Sequence, residues 1–104
     1  SSLRQADRDL DDVELWLKGV ESALASEDPG ADLAASQALL KKHHLLEAEI
    51  ASQDGPIRTA VQGAQHLIDE GHPASEELRD RREAVLARYA AVKDRAKARR
   101  EQLE

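Results

Sequence analysis

The stretch LRQADRDLDDVELWLKGVESAL, residues 3–24, places apolar residues at alternating gaps of three and four positions. The series consists of Leu3, Ala6, Leu10, Val13, Leu17, Val20 and Leu24. This spacing puts all of them on one face of an α-helix, which is the heptad pattern of helices that pack lengthwise on a partner. We therefore predict a first helix over residues 2–26. Trp16 widens its buried face, and Leu15 lies off that face, towards solvent.

A second helix is predicted over residues 32–70, after a turn formed by Asp28, Pro29 and Gly30. Proline fixes φ and glycine permits a positive φ, so these residues end the first helix. Asp32 suits the N-cap position because its carboxylate can accept hydrogen bonds from the free N–H groups of the first turn. His43 shares the apolar face of this helix, whose other members are Leu33, Leu40, Leu46, Ile50, Ile57, Val61, Ala64 and Ile68.

Gly55 and Pro56 interrupt the second predicted helix. A proline inside a helix removes a hydrogen bond and clashes with the preceding turn, at a cost of about 3 kcal/mol. The helix must therefore kink there or break in two. The apolar phase is kept from Ile50 to Ile57, which favours a kink near residues 55–56.

A third helix is predicted over residues 74–103, after a second turn at residues 71–73. Pro73 suits the first turn of a helix, where a missing N–H costs nothing. Arg82 and Arg99 occupy positions where the apolar series would continue, and their aliphatic stems can cover the edge of a core. The apolar series itself contains Leu78, Val85, Tyr89, Val92, Ala96 and Leu103.

Two short turns between three long helices force neighbouring helices to run antiparallel. We therefore predict an all-α fold, an antiparallel left-handed three-helix coiled-coil bundle, as a single domain over residues 1–104. The first and last residues would then lie at opposite ends of a rod. The predicted core is Leu10, Val13, Trp16, Leu17, Val20, Leu40, His43, Ile50, Ile57, Val61, Ile68, Leu78, Val85, Tyr89 and Val92.

Composition excludes several classes of protein. The 104 residues carry a net charge of −6, so general nucleic-acid binding, which needs clustered cations, is not expected. No cysteine is present, so there is neither a disulfide framework nor a thiolate metal site. Residues 1–30 hold eight acidic and three basic residues, whereas residues 72–104 hold seven and nine. This asymmetry favours pairing of the first helix with the third.

No cofactor, metal or catalytic site is predicted. His43 and Glu47, one helical turn apart, could share a metal ion, but no third ligand is suggested. A partly buried imidazole beside a carboxylate is the favoured interpretation. Nothing resembles a nucleophile elbow, and no glycine-rich phosphate loop follows a strand. We therefore expect that the chain is not an enzyme.

Several segments resemble the spectrin family, in order and over essentially the whole chain. The first-helix segment DDVELWL at residues 11–17 is similar to the family's sequence around its tryptophan. The turn SEDPGADL at residues 26–33 resembles "SEDYGKDL", apart from Pro29 and Ala31. Leu3 and Tyr89 stand where the family often has phenylalanine and tryptophan. Further similar stretches are QALLKKH at 37–43, GHP at 71–73, EAVLARY at 83–89 and RREQL at 99–103.

The resemblance implies a structural spacer of an actin-associated membrane skeleton. The quoted segments resemble spectrin itself, as in an α-chain repeat, more than dystrophin or α-actinin. The spacer would give length and elasticity within a tandem array, in the cytoplasm at the cell cortex. Its partners would be neighbouring repeats and other cytoskeletal or membrane-adaptor proteins. The isolated repeat is expected to be a monomer, with any membrane contact only peripheral.

Two other functions stay open from the sequence. The bundle could be a docking module that binds a protein or anionic lipid through one face. The candidate contact residues for this function are Leu15, Lys93, Arg95, Lys97 and Arg100. The chain could also be an engineered three-helix scaffold, because asparagine, methionine, phenylalanine and cysteine are all absent.

Overall fold

The structure is a computed structural model that describes residues 2–26 and 33–104, with side chains in the second range from Ser36 onward. The predicted turn at residues 28–30 and the N-cap Asp32 lie outside the described residues. The helices are α1 (Leu3–Ser26), α2 (Leu33–Ser52), α3 (Asp54–Asp69) and α4 (Ser75–Leu103). Together they form a rod with extents of 56 × 18 × 16 Å.

The bundle has three arms: α1, the α2–α3 pair and α4. Side-chain contacts between the arms give their directions. The hydroxyl of Tyr89 in α4 donates a hydrogen bond to the carbonyl of Ile50. One heptad later in α4, the carbonyl of Ala96 accepts a hydrogen bond from His43, which lies one heptad before Ile50 in α2, so α2 runs antiparallel to α4. α1 packs on α3 and α4, while α2 packs mainly on α4. The second predicted helix corresponds to α2 and α3 in sequence, so the chain goes up, down and up. The predicted all-α three-helix bundle is confirmed.

The core is a set of heptad positions from all three arms. Six of the seven apolar positions quoted for the first helix are buried, and Leu3 is half-buried. Among the predicted core residues, eleven are buried: Leu10, Val13, Leu17, Val20, His43, Ile50, Ile57, Leu78, Val85, Tyr89 and Val92. The other four are half-buried: Trp16, Leu40, Val61 and Ile68.

Two of the four predicted apolar positions of α3, Ile57 and Ala64, are buried, and at the other two the buried residue lies one place earlier in the sequence. Ala60 and Leu67 are buried, whereas Val61 and Ile68 pack against the core from its edge. The buried series runs at seven-residue gaps from His43 through Ile50 to Ile57. It then continues at gaps of three and four residues through Ala60, Ala64 and Leu67. Small alanines therefore fill the centre, and the larger β-branched residues take the flank.

The interruption of the second arm lies at Gln53, three residues before Pro56, rather than at residues 55–56. Gln53 keeps a near-helical backbone, with φ −83° and ψ −6°, and its carbonyl accepts from Ile57 N–H at 2.9 Å. Pro56 has no N–H for the carbonyl of Ser52, and its ring crowds that carbonyl, so the disturbance appears one turn earlier. Pro56 itself lies in the first turn of α3, where proline is tolerated.

The turn between α3 and α4 is fixed by backbone geometry at Gly71. Its φ of +73° lies in the left-handed region that favours glycine. Gly71 N–H donates to Ile68, and His72 N–H donates to Leu67, which satisfies two terminal carbonyls of α3. His72 Nδ1 then accepts a hydrogen bond of 2.9 Å from Ala74 N–H at the start of α4. The chain therefore reverses within a few residues.

Candidate functional site

A ladder of ion pairs joins α1 to α4. The guanidinium of Arg81 lies 3.1 Å from Asp7, 2.7 Å from Asp11 and 2.7 Å from Glu14. One heptad later, Arg88 donates two hydrogen bonds to Glu21, at 2.9 and 2.7 Å. Both pairs keep the same sequence offset, so α1 and α4 run parallel.

The ladder perturbs its own ionisable groups. The hydrogen bond with Arg88 is the main cause that lowers the pKa of Glu21 below its ordinary value. The hydrogen bond with Glu14 is the main cause that raises the pKa of Arg81, against an opposing effect of burial. Charged forms are therefore favoured on both helices. The sequence predicted pairing of these helices by charge but not the individual ion pairs. The seven-residue spacing of Glu14 and Glu21, and of Arg81 and Arg88, is the pattern from which they could have been predicted.

Two side-chain hydrogen bonds tie α2 to α4. His43 is fully buried, and its Nε2 donates to the carbonyl of Ala96 at 2.7 Å. Tyr89 donates its hydroxyl to the carbonyl of Ile50 at 2.7 Å, and burial raises the pKa of Tyr89. Within α2, Glu47 Oε1 lies 3.6 Å from Nε2 of His43. Within residues 2–26 and 33–104, no group of three or more histidine, aspartate and glutamate side chains is placed to hold a metal ion.

Trp16 stands at the boundary between the core and the surface. Its indole N–H donates to Glu49 at 3.1 Å, and its ring meets that of Tyr89 edge-to-face with centroids 6.2 Å apart. Trp16 of α1 thus contacts both α2 and α4. One of its edges borders an open groove between α1 and the α2–α3 arm.

We call the space between α1 and the α2–α3 arm, beside Trp16, the open groove. It contains three cavities in a row along the bundle axis, with volumes of 440, 200 and 280 Å³. No Cα atom of α1 lies within 8 Å of one in α2, counting the described residues only. The residues that line the groove are Asp9, Asp12, Val13, Trp16, Gly19, Val20, Ala23, Ser26, Lys42, Leu45, Leu46, Glu49, Gln53, Gly55, Pro56 and Thr59.

The structure does not bring the predicted contact residues together. Leu15 is 72% exposed on the outer side of α1, while the basic residues lie on α4. Lys93 lies over the ring of Tyr89, 4.5 Å from its centroid, and Arg100 lies 3.6 Å from Glu47. Arg95 and Lys97 are exposed. Part of the basic cluster therefore already contacts other residues of this chain.

Two other large apolar side chains are exposed and were not singled out from the sequence. Leu45 is 69% exposed on α2, at the rim of the open groove, and Leu86 is 46% exposed on α4. Leu45 follows His43 and His44 in an unbroken helical stretch, so only its place in the heptad could have marked it as outward-facing. No helix in the described part of the chain is both long and apolar enough to cross a membrane.

This fold defines a class of protein, the elongated three-helix coiled-coil repeat with parallel outer helices. The family model described as "Spectrin repeat" matches residues 1–104, and the chain belongs to the spectrin-repeat family. It is 36% identical over 103 residues to the mouse protein "Spectrin alpha chain, erythrocytic 1".

Two β chains are similar in the same way. Identity is 33% over 96 residues with "Spectrin beta chain" of Drosophila melanogaster. It is 35% over 96 residues with human "Spectrin beta chain, non-erythrocytic 4". The matches cover 99%, 92% and 92% of this chain, but only 4% of each relative. The chain therefore corresponds to a small part of the length of these proteins.

Proposed function

We propose that this repeat is a mechanical spacer of a cytoskeletal scaffold at the cytoplasmic side of the cell cortex. One observation carries the proposal: α1 and α4 are parallel, so the chain enters at one end of a 56 Å rod and leaves at the other. Copies joined end to end would add length without folding back. The role is structural and not enzymatic, and neighbouring repeats are the first partners.

The α1–α4 ladder supports a load-bearing role. Tension on a chain of repeats acts through the start of α1 and the end of α4. Arg81 and Arg88 hold these two helices in one register through charge-assisted hydrogen bonds, which are stronger than neutral ones. Elasticity would come from repeats that unfold one at a time under load.

Chains of one, two and three copies test the spacer function by small-angle X-ray scattering. The maximum dimension should rise by close to the 56 Å rod length with each added copy. Copies that pack side by side would give a much smaller increase, and this result would contradict the proposal. In force spectroscopy, unfolding of each copy should lengthen the chain by roughly 300 Å. This is the span of 104 extended residues, at about 3.3–3.6 Å each, less the 56 Å of the folded rod.

Docking through Leu15 or the α4 basic cluster has weaker support. Leu15 is one of three exposed leucines among the described residues, and exposed apolar residues are common on protein surfaces. A saturable pull-down that is lost in Leu15→Glu, with the helical spectrum intact, would favour docking at this position.

A further inference from the structure

The three interhelical seams of the bundle differ in how they are covered. Arg81 and Arg88 cover the α1–α4 seam with long side chains. Lys93 and Leu86 border the seam between α3 and α4. The seam between α1 and the α2–α3 arm is the open groove, and mostly short side chains border it.

At two helical glycines on this side of the bundle, no close packing contact requires the absence of a side chain. A Cβ atom built on Gly19 or Gly63 would meet nothing within 4 Å, and neither residue has a positive φ. Glycine destabilises a helix interior relative to alanine, so each position weakens its helix without an internal gain. Gly19 lines the groove, and Gly63 lies one and two heptads beyond Pro56 and Glu49 on the same edge of the second arm.

Glycine is also the residue that lets another backbone approach closely. The groove runs along the bundle axis, as a fourth helix would. It offers apolar surface from Trp16 and Leu46 at its centre and from Leu45 beside the end of α1, and Leu45 remains 69% exposed. A helix with a narrow apolar stripe could pack there as helices pack in a groove of another bundle.

The charges at the rim select the occupant. Asp9, Asp12 and Glu49 line the groove, with Lys42 as the one cation among its described lining residues. We propose that the open groove binds an amphipathic helix of a partner protein, with basic residues on both sides of its apolar stripe. The partner helix would bury Leu45 and place its cations beside Asp9 and Asp12.

A pair of designed peptides tests the occupant. Both are helices of about three heptads with the same alanine and leucine stripe, and they differ only in lysine or glutamate flanks. Calorimetric titration into the whole chain should show saturable binding of the lysine peptide and at least tenfold weaker binding of the glutamate peptide. Equal affinities, or no binding of the lysine peptide, would overturn the proposal.

Variants locate the binding site. Gly19→Gln with Gly63→Gln should weaken binding of the lysine peptide at least tenfold. Gly19 lines the groove and Gly63 lies further along the same edge of the second arm, so we expect the added side chains to occupy space that the partner helix needs. The same residue placed on the outer face of α1, in Ser22→Gln, is the matched control and should leave the affinity unchanged. Urea melts check that the variants stay folded, which the open space around both glycines predicts.

Nuclear magnetic resonance of the unmodified chain gives a readout without any variant. The indole N–H of Trp16 should shift with the lysine peptide, together with backbone amides of Gly19 and Leu45. Shifts confined to other faces, or unchanged affinity in the glutamine pair, would overturn this location. Concentration-dependent dimers that disappear in the glutamine pair would instead assign the groove to a second copy and overturn the partner-helix proposal.

Discussion

Arg81 of α4 donates two hydrogen bonds to Glu14 of α1, 67 positions earlier in the sequence, with nitrogen–oxygen distances of 3.1 and 2.7 Å. Arg88 and Glu21 repeat this geometry one heptad further along. In coiled-coil terms, each arginine flanks the core of one helix and each glutamate flanks the core of a parallel helix. The two pairs therefore fix the register between the first and last helices of the repeat.

Replacing Arg81 should destabilise the bundle. Its side chain is only 19% exposed and bonds three carboxylates, so Arg81→Gln would leave three acidic groups close together without their cation. We expect the free energy of unfolding to fall by about 1–2 kcal/mol, a range that allows for partial solvent screening. Urea denaturation followed by circular dichroism at 222 nm measures this change.

Arg79→Gln is the matched control, because Arg79 lies on the same helix two residues earlier and is exposed. Its effect should stay within about 0.5 kcal/mol. The destabilisation by Arg81→Gln should also shrink in high salt, since exposed charges are screened. Equal losses in the two variants would show that the ladder does not fix the register energetically.

Acid should weaken the Arg88–Glu21 pair. Arg88 lowers the pKa of Glu21 in the folded chain below its ordinary value of 4.5. The folded state therefore binds fewer protons than the unfolded state, and stability from this pair is present above pH 4.5 and is lost as pH falls through the folded pKa. Urea midpoints between pH 6 and pH 3 measure the loss, and Glu21→Gln should fall less steeply than the unmodified chain.

The stability that Tyr89 contributes should be lost at alkaline pH. Burial raises its pKa above the ordinary value of 10.0, so the neutral phenol is favoured in the folded chain. Its contribution to stability is complete below pH 10 and is lost as pH rises through the folded pKa. Tyr89→Phe should remove this alkaline dependence in urea melts.

At neutral pH the same substitution should cost about 1 kcal/mol, because the carbonyl of Ile50 loses a hydrogen bond of 2.7 Å. His43 makes a separate bond to Ala96 and should hold α2 on α4, so helicity should persist in Tyr89→Phe. A variant as stable as the parent, with the same alkaline loss, would show that the hydroxyl contributes nothing to the α2–α4 contact.

The fold was predictable from sequence because the apolar spacing that marks a helix also marks its buried face. In α1 the two are inseparable, and the six positions from Ala6 to Leu24 that the spacing selects are buried. In α3 the predicted series included Val61 and Ile68. The structure buries Ala60 and Leu67 instead, because the register is set from Ile50 and Ile57 by packing on two partner helices.

The interaction surfaces were less accessible to sequence analysis. Leu15 could be recognised as exposed because it lies off a clear heptad series. The open groove could not be recognised, because it depends on the distance between α1 and α2 and on which edge of each helix faces the other. Gly19 and Gly63 are ordinary weak helix residues in sequence, and only the structure shows the empty space beside them.

The joint between α2 and α3 should be the weakest part of the second arm. Pro56 leaves the carbonyl of Ser52 without its helical donor, and the helix is interrupted at Gln53. Pro56→Ala supplies the missing N–H and should join α2 and α3 into one helix. The gain should be about 1–2 kcal/mol, since the loss of proline rigidity in the unfolded chain offsets part of it.

Hydrogen exchange distinguishes a local gain from a general one. Amides from Gln53 to Ile57 should become more protected in Pro56→Ala, while those near Tyr89 should change only with global stability. Pro73→Ala is the matched control, because Pro73 lies in the turn before α4 and interrupts no helix. If protection around Gln53 stays unchanged while stability rises, the interruption is set by packing on α1 and α4, and proline only occupies it.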